Sequence, residues 1–191
     1  MYAAVIGGMG VRPSVNYVRK RMKDRPLNVA EIGVAYGHNA LNIFKTLNVA
    51  MLYAIDPYVP YIEHGSLWDT SNGKSIAAKK LDQFKDRVRF IYQSSEAAAA
   101  IVPDGLDFVY IDGNHEYEQC LNDIHLYYPK VAADGVIAGH DFGNVSPGVI
   151  SAATRFSVEH NIQLMVQQPD WWFDKTMLET VLPPHQEIHT Q

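Results

Sequence analysis

The stretch that most restricts how this chain can fold is Asn28-Val29-Ala30-Glu31-Ile32-Gly33-Val34-Ala35-Tyr36-Gly37. Its apolar run holds a carboxylate near the end, then turns through two glycines into Ala40, Leu41, Phe44 and Leu47 at helical spacing. That pattern reads as buried strand, tight turn and amphipathic helix. A second apolar run, Val49 to Ile55, follows and stops at Asp56-Pro57. Two strands joined by a helix make a parallel pair with a right-handed crossover, so the chain is committed to a sheet covered on both faces.

The alternation continues downstream. Val88 to Tyr92 reads as a third strand, followed by Ser94-Ser95 and an Ala-rich helix over Glu96 to Ile101. Leu106 to Ile111 is a fourth strand running into Asp112-Gly113-Asn114-His115, and a helix from Glu116 to about Tyr128 is closed by Pro129. Gly135 to Ala138 is a short fifth strand ending in Gly139-His140-Asp141-Phe142, and Pro147 opens a helix to about His160. Ile162 to Val166 and Trp171 to Thr176 are too closely connected to be anything but an antiparallel pair. Upstream, Ser14 after Pro13 suits the cap of a helix to about Lys23, stopped by Pro26. A helix near Asn72 turns Ile76, Ala77, Leu81 and Phe84 inward.

These elements predict an α/β, Rossmann-like three-layer sandwich: a mostly parallel seven-stranded sheet with a C-terminal antiparallel hairpin. At 191 residues there is room for one domain, placed at 27–182 between an N-terminal arm and helix (1–26) and a tail (183–191). The glycines in Val5-Ile6-Gly7-Gly8-Met9-Gly10 are not a dinucleotide turn, because Arg12-Pro13 intervenes before any helix. They read as an arm, one able to pack on a second copy of the chain in a homo-oligomer.

In an open parallel sheet, ligands bind outside the carboxyl ends of the strands. Glu31, Asp56, Asp112 and Asp141 all fall there, on four of the five parallel strand ends. Asp56 stands about twenty residues beyond the first turn, where an acid grips ribose hydroxyls, although an Asp before Pro also simply forms turns. A carboxylate beside a close-approach turn suits the ribose or amine of an adenosine cofactor better than a pyrophosphate. Tyr58 to Ser71 has no period but holds Tyr58, Tyr61, His64 and Trp68, so it is either a binding lid or a surface loop packed on its own aromatics.

Composition removes other classes. The net charge of −5 argues against nucleic acid as a partner, and Arg19 to Arg25, interrupted by Asp24, reads as a solvated face. Cys120 is the single cysteine, which excludes an intrachain disulfide and reads as helix packing. No apolar run approaches the roughly 20 residues of a membrane span, so a cytoplasmic protein is expected.

Val29 to Gly37, Ile55-Asp56-Pro57, Asp107 to Tyr117 and the Gly-His-Asp-Phe ending at Phe142 together resemble the class I S-adenosylmethionine-dependent methyltransferases. More narrowly they resemble the small-molecule O-methyltransferase branch with its macrocin-type members. The resemblance implies an enzyme that uses S-adenosyl-L-methionine, with Glu31, Gly33, Tyr36, Gly37, Asp56, Ser94, Ser95 and Asp112 around the cofactor. It implies a divalent metal, Mg²⁺ or another, on Asp112, His140 and Asp141. An imidazole among the ligands favours Mn²⁺, Fe²⁺ or Zn²⁺ over hard Mg²⁺, and His140 could instead only support a ligand. His115 is open between third ligand, general base and helix-start support, with Asp141 the other candidate base. Trp171, Trp172, Tyr127 and Tyr128 read as packing, and His125, mid-helix, as surface or packing. The acceptor is a small molecule, either a sugar, a polyketide or a phenol. The competing readings are a nicotinamide-dependent oxidoreductase and a non-catalytic cofactor-binding module.

Overall fold

A computed structural model describes residues 10–177. The elements run α1 (Pro13–Met22), β1 (Leu27–Ile32), α2 (His38–Thr46), β2 (Val49–Ile55), β3 (Tyr61–Glu63) and β4 (Ser66–Trp68). They continue as α3 (Gly73–Leu81), β5 (Val88–Ile91), α4 (Ser95–Ala99), β6 (Leu106–Ile111), α5 (Tyr117–Tyr127), β7 (Val131–Gly139), α6 (Pro147–His160), β8 (Met165–Gln167) and β9 (Asp170–Asp174). The expected glycine-rich arm, but for Gly10, and the expected tail from Pro183 lie outside the described residues.

The main sheet has seven strands in the order β5-β2-β1-β6-β7-β9-β8, parallel except where β9 and β8 pair antiparallel at one edge. Alternation along each strand divides the core in two. Phe108 and Tyr110 of β6 pack with α1, α2 and α3, while Val109 and Ile111 pack with α4, α5 and α6. Trp172 faces the first group, and Trp171 and Phe173 face the second. The three-layer sandwich is therefore the one the sequence predicts, with Trp171, Trp172, Tyr127 and Cys120 buried as packing groups. Among the described residues no helix is long and apolar enough to cross a membrane.

Four local expectations change. Ser14 does not cap α1, since the helix starts at Pro13 and Ser14 lies inside it. Its hydroxyl and N–H instead donate to the buried Asp170 carboxylate at 2.5 and 3.0 Å. The basic run is not merely solvated: Arg21 pairs with Asp174, and Arg25 reaches Asp107 and Asp134 at 2.6 Å each. Ile76 is exposed, because the inward stripe of α3 is Gly73, Ala77 and Leu81 at four-residue spacing. β7 starts four residues before Gly135, with a register shift opposite β6. A side chain at Gly135 would meet the Leu106 carbonyl at 2.9 Å, so the glycine lets this irregular strand pass close to β6.

Asp170 fastens α1 to the sheet, because it also accepts from the buried Tyr110 hydroxyl at 3.1 Å. Asp170→Ala leaves the Ser14 and Tyr110 donors buried without an acceptor. The expected loss is about 3 kcal/mol of unfolding free energy in a urea titration. A loss under about 1 kcal/mol would show that the network is not what holds α1 in place.

Candidate active site

β1 is flanked by β2 on one side and β6 on the other, so connections leave it in opposite directions and a crevice opens between β1 and β6. The turns leaving these strands extend the ladder before departing. Gly33 N–H donates to Ile55 O (2.9 Å), Asp112 N–H to Ile32 O (2.7 Å), Asp56 N–H to Ile91 O (3.2 Å) and His140 N–H to Ile111 O (3.0 Å). That continuity brings the acids at the strand ends to one edge. Among the described residues, four of the six non-glycine residues with positive φ also lie around it: Ala35, Tyr58, His64 and Asp141. Such backbone costs energy and clusters at functional sites.

Two cavities meet at this edge. The first, of about 270 Å³, is lined by Asp56, Pro57, Ser94, Ser95, Gln119 and Asp123. The second, of about 440 Å³, is lined by Glu31, Tyr36, Glu63, Trp68, His115 and Asp141. Gly33 and Asp112 belong to both. Gly33 has φ +85°, and a Cβ there would lie 2.0 Å from the Asp112 carbonyl oxygen, so only glycine lets β1 turn against the end of β6. Gly37 has a different task. It starts α2 in a left-handed conformation, packs against Ala77 and lines neither cavity.

Asp56 shapes its turn and faces a cavity. Its oxygens accept the N–H groups of Ala35 (2.8 Å) and Tyr58 (2.7 Å), shaping the turns on either side, while the carboxylate still lines the first cavity. Burial pushes its pKa up against the lowering effect of those bonds. Glu31 is buried at the boundary of β1 and the second cavity. Asn39 donates to one of its oxygens at 3.0 Å, and the other has no partner. Burial pushes its pKa up to about 8. Ser94 caps α4, and Ser95 lies beside Asp123, whose burial raises its pKa to about 7.

The acids after β6 and β7 converge with an imidazole. One ligand atom each of Asp112, His115 and Asp141 lies within 4.8 Å of the others. His115 Nε2 is 2.9 Å from Asp141 Oδ2 and 3.8 Å from Asp112 Oδ1. It is buried and makes no well-aligned hydrogen bond, as an atom facing a ligand position should. One imidazole and two carboxylates suit a divalent first-row cation, so the residues fit the metal that the resemblance implies. The set differs from the expected Asp112, His140 and Asp141. His140 Nδ1 is 3.0 Å from Asp141 Oδ2 and 3.7 Å from Asp112 Oδ1, so a second imidazole stands beside the same two acids.

Sequence reasoning missed Glu63. The irregular segment after β2 contains the antiparallel hairpin β3–β4, which walls the second cavity with Tyr61, Glu63, His64 and Trp68. Glu63 is buried and accepts both the backbone N–H of His115 (2.5 Å) and its Nδ1–H (3.0 Å). A carboxylate only accepts, so it fixes a proton on Nδ1 and turns Nε2 toward the acids. Burial would lower the His115 pKa, but Asp112, Asp141 and Glu63 outweigh it and raise the value to about 12. Asp141 is held well below the ordinary range: burial would raise its pKa, but the His115 and His140 imidazoles beside it outweigh that. Three-residue strands in a stretch without period give no pattern to read, so only contact reveals Glu63.

The family model described as a methyltransferase domain matches residues 30–142, from the middle of β1 through β7, and so every acid of the site. An uncharacterized protein, R132, of Acanthamoeba polyphaga mimivirus is 28% identical over 134 residues, 68% of this chain. The chain spans 58% of the length of that relative. Among solved structures, the O-methyltransferase NovP aligns with a TM-score of 0.62 at 15% identity, over 85% of this chain and 79% of its own. A putative methyltransferase from Streptococcus mutans, solved with SAH, gives 0.64 at 14% identity over 87% and 99%. CalS11, a TDP-rhamnose 3'-O-methyltransferase, gives 0.61 at 12% over 84% and 76%. At these identities the structures establish the shared fold, and the family match over more than half the chain establishes kinship. The chain belongs to the S-adenosylmethionine-dependent methyltransferase domain family.

Proposed function

We propose that this protein O-methylates a small hydroxylated molecule, with the nucleoside of S-adenosyl-L-methionine in the first cavity, its methionine end reaching Glu31 where the second begins, and the acceptor against the hairpin wall of the second. The observation that carries the reading is the meeting of the two cavities at Gly33 and Asp112. A ribose-gripping acid stands on one side and an acid–imidazole cluster on the other. NovP and CalS11, described as O-methyltransferases, support the same chemistry.

When bound, the cofactor supplies an electrophilic sulfonium methyl, and a divalent cation on Asp112, His115 and Asp141 supplies Lewis acidity toward an acceptor hydroxyl. The protein's own residues bind, orient and handle the proton. Asp56 holds the ribose hydroxyls, with Ser94 and Ser95 farther along the cavity toward the adenine. Glu31, through its unpartnered oxygen, receives the methionine ammonium. Tyr61 and Trp68 pack against the acceptor and keep water from it. His115, with Nδ1–H held by Glu63, directs Nε2 at the cluster. Proton removal from the hydroxyl falls to Asp141, because Nε2 would be taken up by the cation it helps to hold. A direct displacement then needs no nucleophile from the protein. Cys120 takes no part: it is buried, and its thiol pKa is pushed up to about 12 by that burial.

Glu31 makes the reading testable through pH. With a pKa raised to about 8, it is mostly protonated at pH 7 in the free protein. A bound ammonium favours the carboxylate, so cofactor binding expels a proton. Calorimetric affinity for S-adenosylmethionine therefore rises from pH 6 toward pH 8 and then levels, with an enthalpy that depends on buffer ionisation. Glu31→Gln binds more weakly and loses the pH dependence. Tight NADH binding with no S-adenosylmethionine binding would defeat the whole proposal. Binding with no pH dependence in the wild type would defeat the Glu31 role alone.

A further inference from the structure

The β3–β4 hairpin and the turn after β6 are fastened by two carboxylate–imidazole pairs running in opposite directions. Glu63 of the hairpin holds His115 of the turn, and Glu116 of the turn holds His64 of the hairpin, through Nδ1 (3.1 Å) and the backbone N–H (2.8 Å). The two pairs differ in burial. Glu63 and His115 are largely enclosed, whereas both side chains of the outer pair are more than two-fifths exposed and add little. We infer that Glu63 is a positioning residue: the hairpin that walls the acceptor cavity also sets the rotamer and tautomer of His115, so that Nε2 faces Asp112 and Asp141. This inference rests on the proposed function for its use, and on the contacts alone for its geometry.

The physical argument concerns degrees of freedom. His115 belongs to a turn between β6 and α5, and rotation about its side-chain bonds could carry the ring out of the cluster. Two bonds from one buried carboxylate, one to the backbone and one to the ring, fix the turn and the ring together. No other acceptor reaches Nδ1 among the described contacts. A ring bonded on one nitrogen has its other nitrogen fixed in direction and tautomer, which is how carboxylates behind metal-bound histidines act. The arrangement has a consequence for the acceptor as well. Tyr61 pairs with Trp68 across the hairpin, on the same face as Glu63 and Ser66, so the wall that touches the acceptor and the group that aligns His115 belong to one hairpin face.

The test uses Glu63→Gln, Glu63→Asp and Glu63→Ala in the full chain, with Mn²⁺ affinity read by electron paramagnetic resonance and folding by thermal melting. Glu63→Asp keeps the charge and shortens the reach, which separates geometry from field. The expected result is a Mn²⁺ dissociation constant raised about tenfold or more in all three variants, on the scale of lost supports behind metal ligands. Calorimetric affinity for S-adenosylmethionine should stay within about threefold of the wild type, since Glu63 does not line the first cavity and its bonds go to His115, not to Asp56 or Glu31. Wild-type Mn²⁺ affinity in Glu63→Asp would overturn the inference in favour of a simple charge effect, and unchanged affinity in Glu63→Gln, or no Mn²⁺ binding by the wild type, would overturn it outright. Should Glu63→Ala unfold, the two closer variants still decide. Failure of the methyltransferase reading appears separately, as wild-type protein that binds no S-adenosylmethionine.

Discussion

Gly33→Ala is expected to abolish measurable S-adenosylmethionine binding, raising the dissociation constant at least a hundredfold, while the protein still folds. The added Cβ would lie 2.0 Å from the Asp112 carbonyl oxygen, 2.4 Å from its carbon and 2.7 Å from Gly113 Cα. All three are backbone atoms at the end of a buried strand, so no rotamer change relieves the clash. The left-handed φ of +85° adds its own cost for any L side chain. Overpacking and backbone strain together come to about 2–5 kcal/mol. For a chain of this size that lowers the melting temperature by roughly 5–15 °C, and the distortion falls where the two cavities meet. Gly37→Ala supplies the contrast. Its Cβ would meet Ala77 at 3.2 Å, outside both cavities, so it should cost stability while leaving cofactor affinity within a few-fold. Gly33→Ala protein that binds S-adenosylmethionine within threefold of wild type would sink the assignment of this turn as the cofactor cradle.

The two glycines show where sequence reading succeeds and where it stops. Strand, turn and helix around them are legible because burial imposes period two and period 3.6 on the apolar residues, and because acids at strand ends have no packing reason to gather at one edge. What a turn glycine is for depends on what approaches it, and the approach comes from distant residues: Asp112 lies 79 positions after Gly33, and Ala77 lies 40 after Gly37. Ser14 follows the same logic. A serine after a proline near a helix start satisfies the local rule for a cap, but Asp170, 156 residues away, offers a buried charged acceptor that outweighs a backbone N–H. Glu63 was unreadable for a different reason. Its hairpin is held by contacts with the β6 turn, and three-residue strands carry too little pattern to announce themselves. The cluster itself was half legible. Asp112 and Asp141 follow from strand ends, but which imidazole joins them depends on the course of the chain after β7. Asp141 takes a positive φ of 56° that leaves its carboxylate between His115 and His140.

Asp112→Asn and Asp141→Asn should each weaken Mn²⁺ binding about a hundredfold and slow formation of S-adenosylhomocysteine at least as much with any accepted alcohol. The strength of the prediction lies in the double variant. If the two acids serve one ion together with His115, removing either already destroys the site, and removing both costs little more than removing one. Two acids acting separately, one on the cofactor and one on a substrate proton, would instead give nearly multiplicative losses. Asn keeps the size and shape of Asp, so packing around Gly33 should survive and melting temperatures should move little. Any stability cost of Asp141→Asn should shrink as pH rises. His115 owes its raised pKa to Asp112, Asp141 and Glu63, and it contributes stability fully below its unfolded value near 6.5. That contribution fades as pH climbs toward about 12, so the wild type gains least from the Asp141–His115 pair in alkali. Losses that multiply in the double variant, with Mn²⁺ affinity unchanged in either single one, would show that these acids handle protons and cofactor without a shared ion.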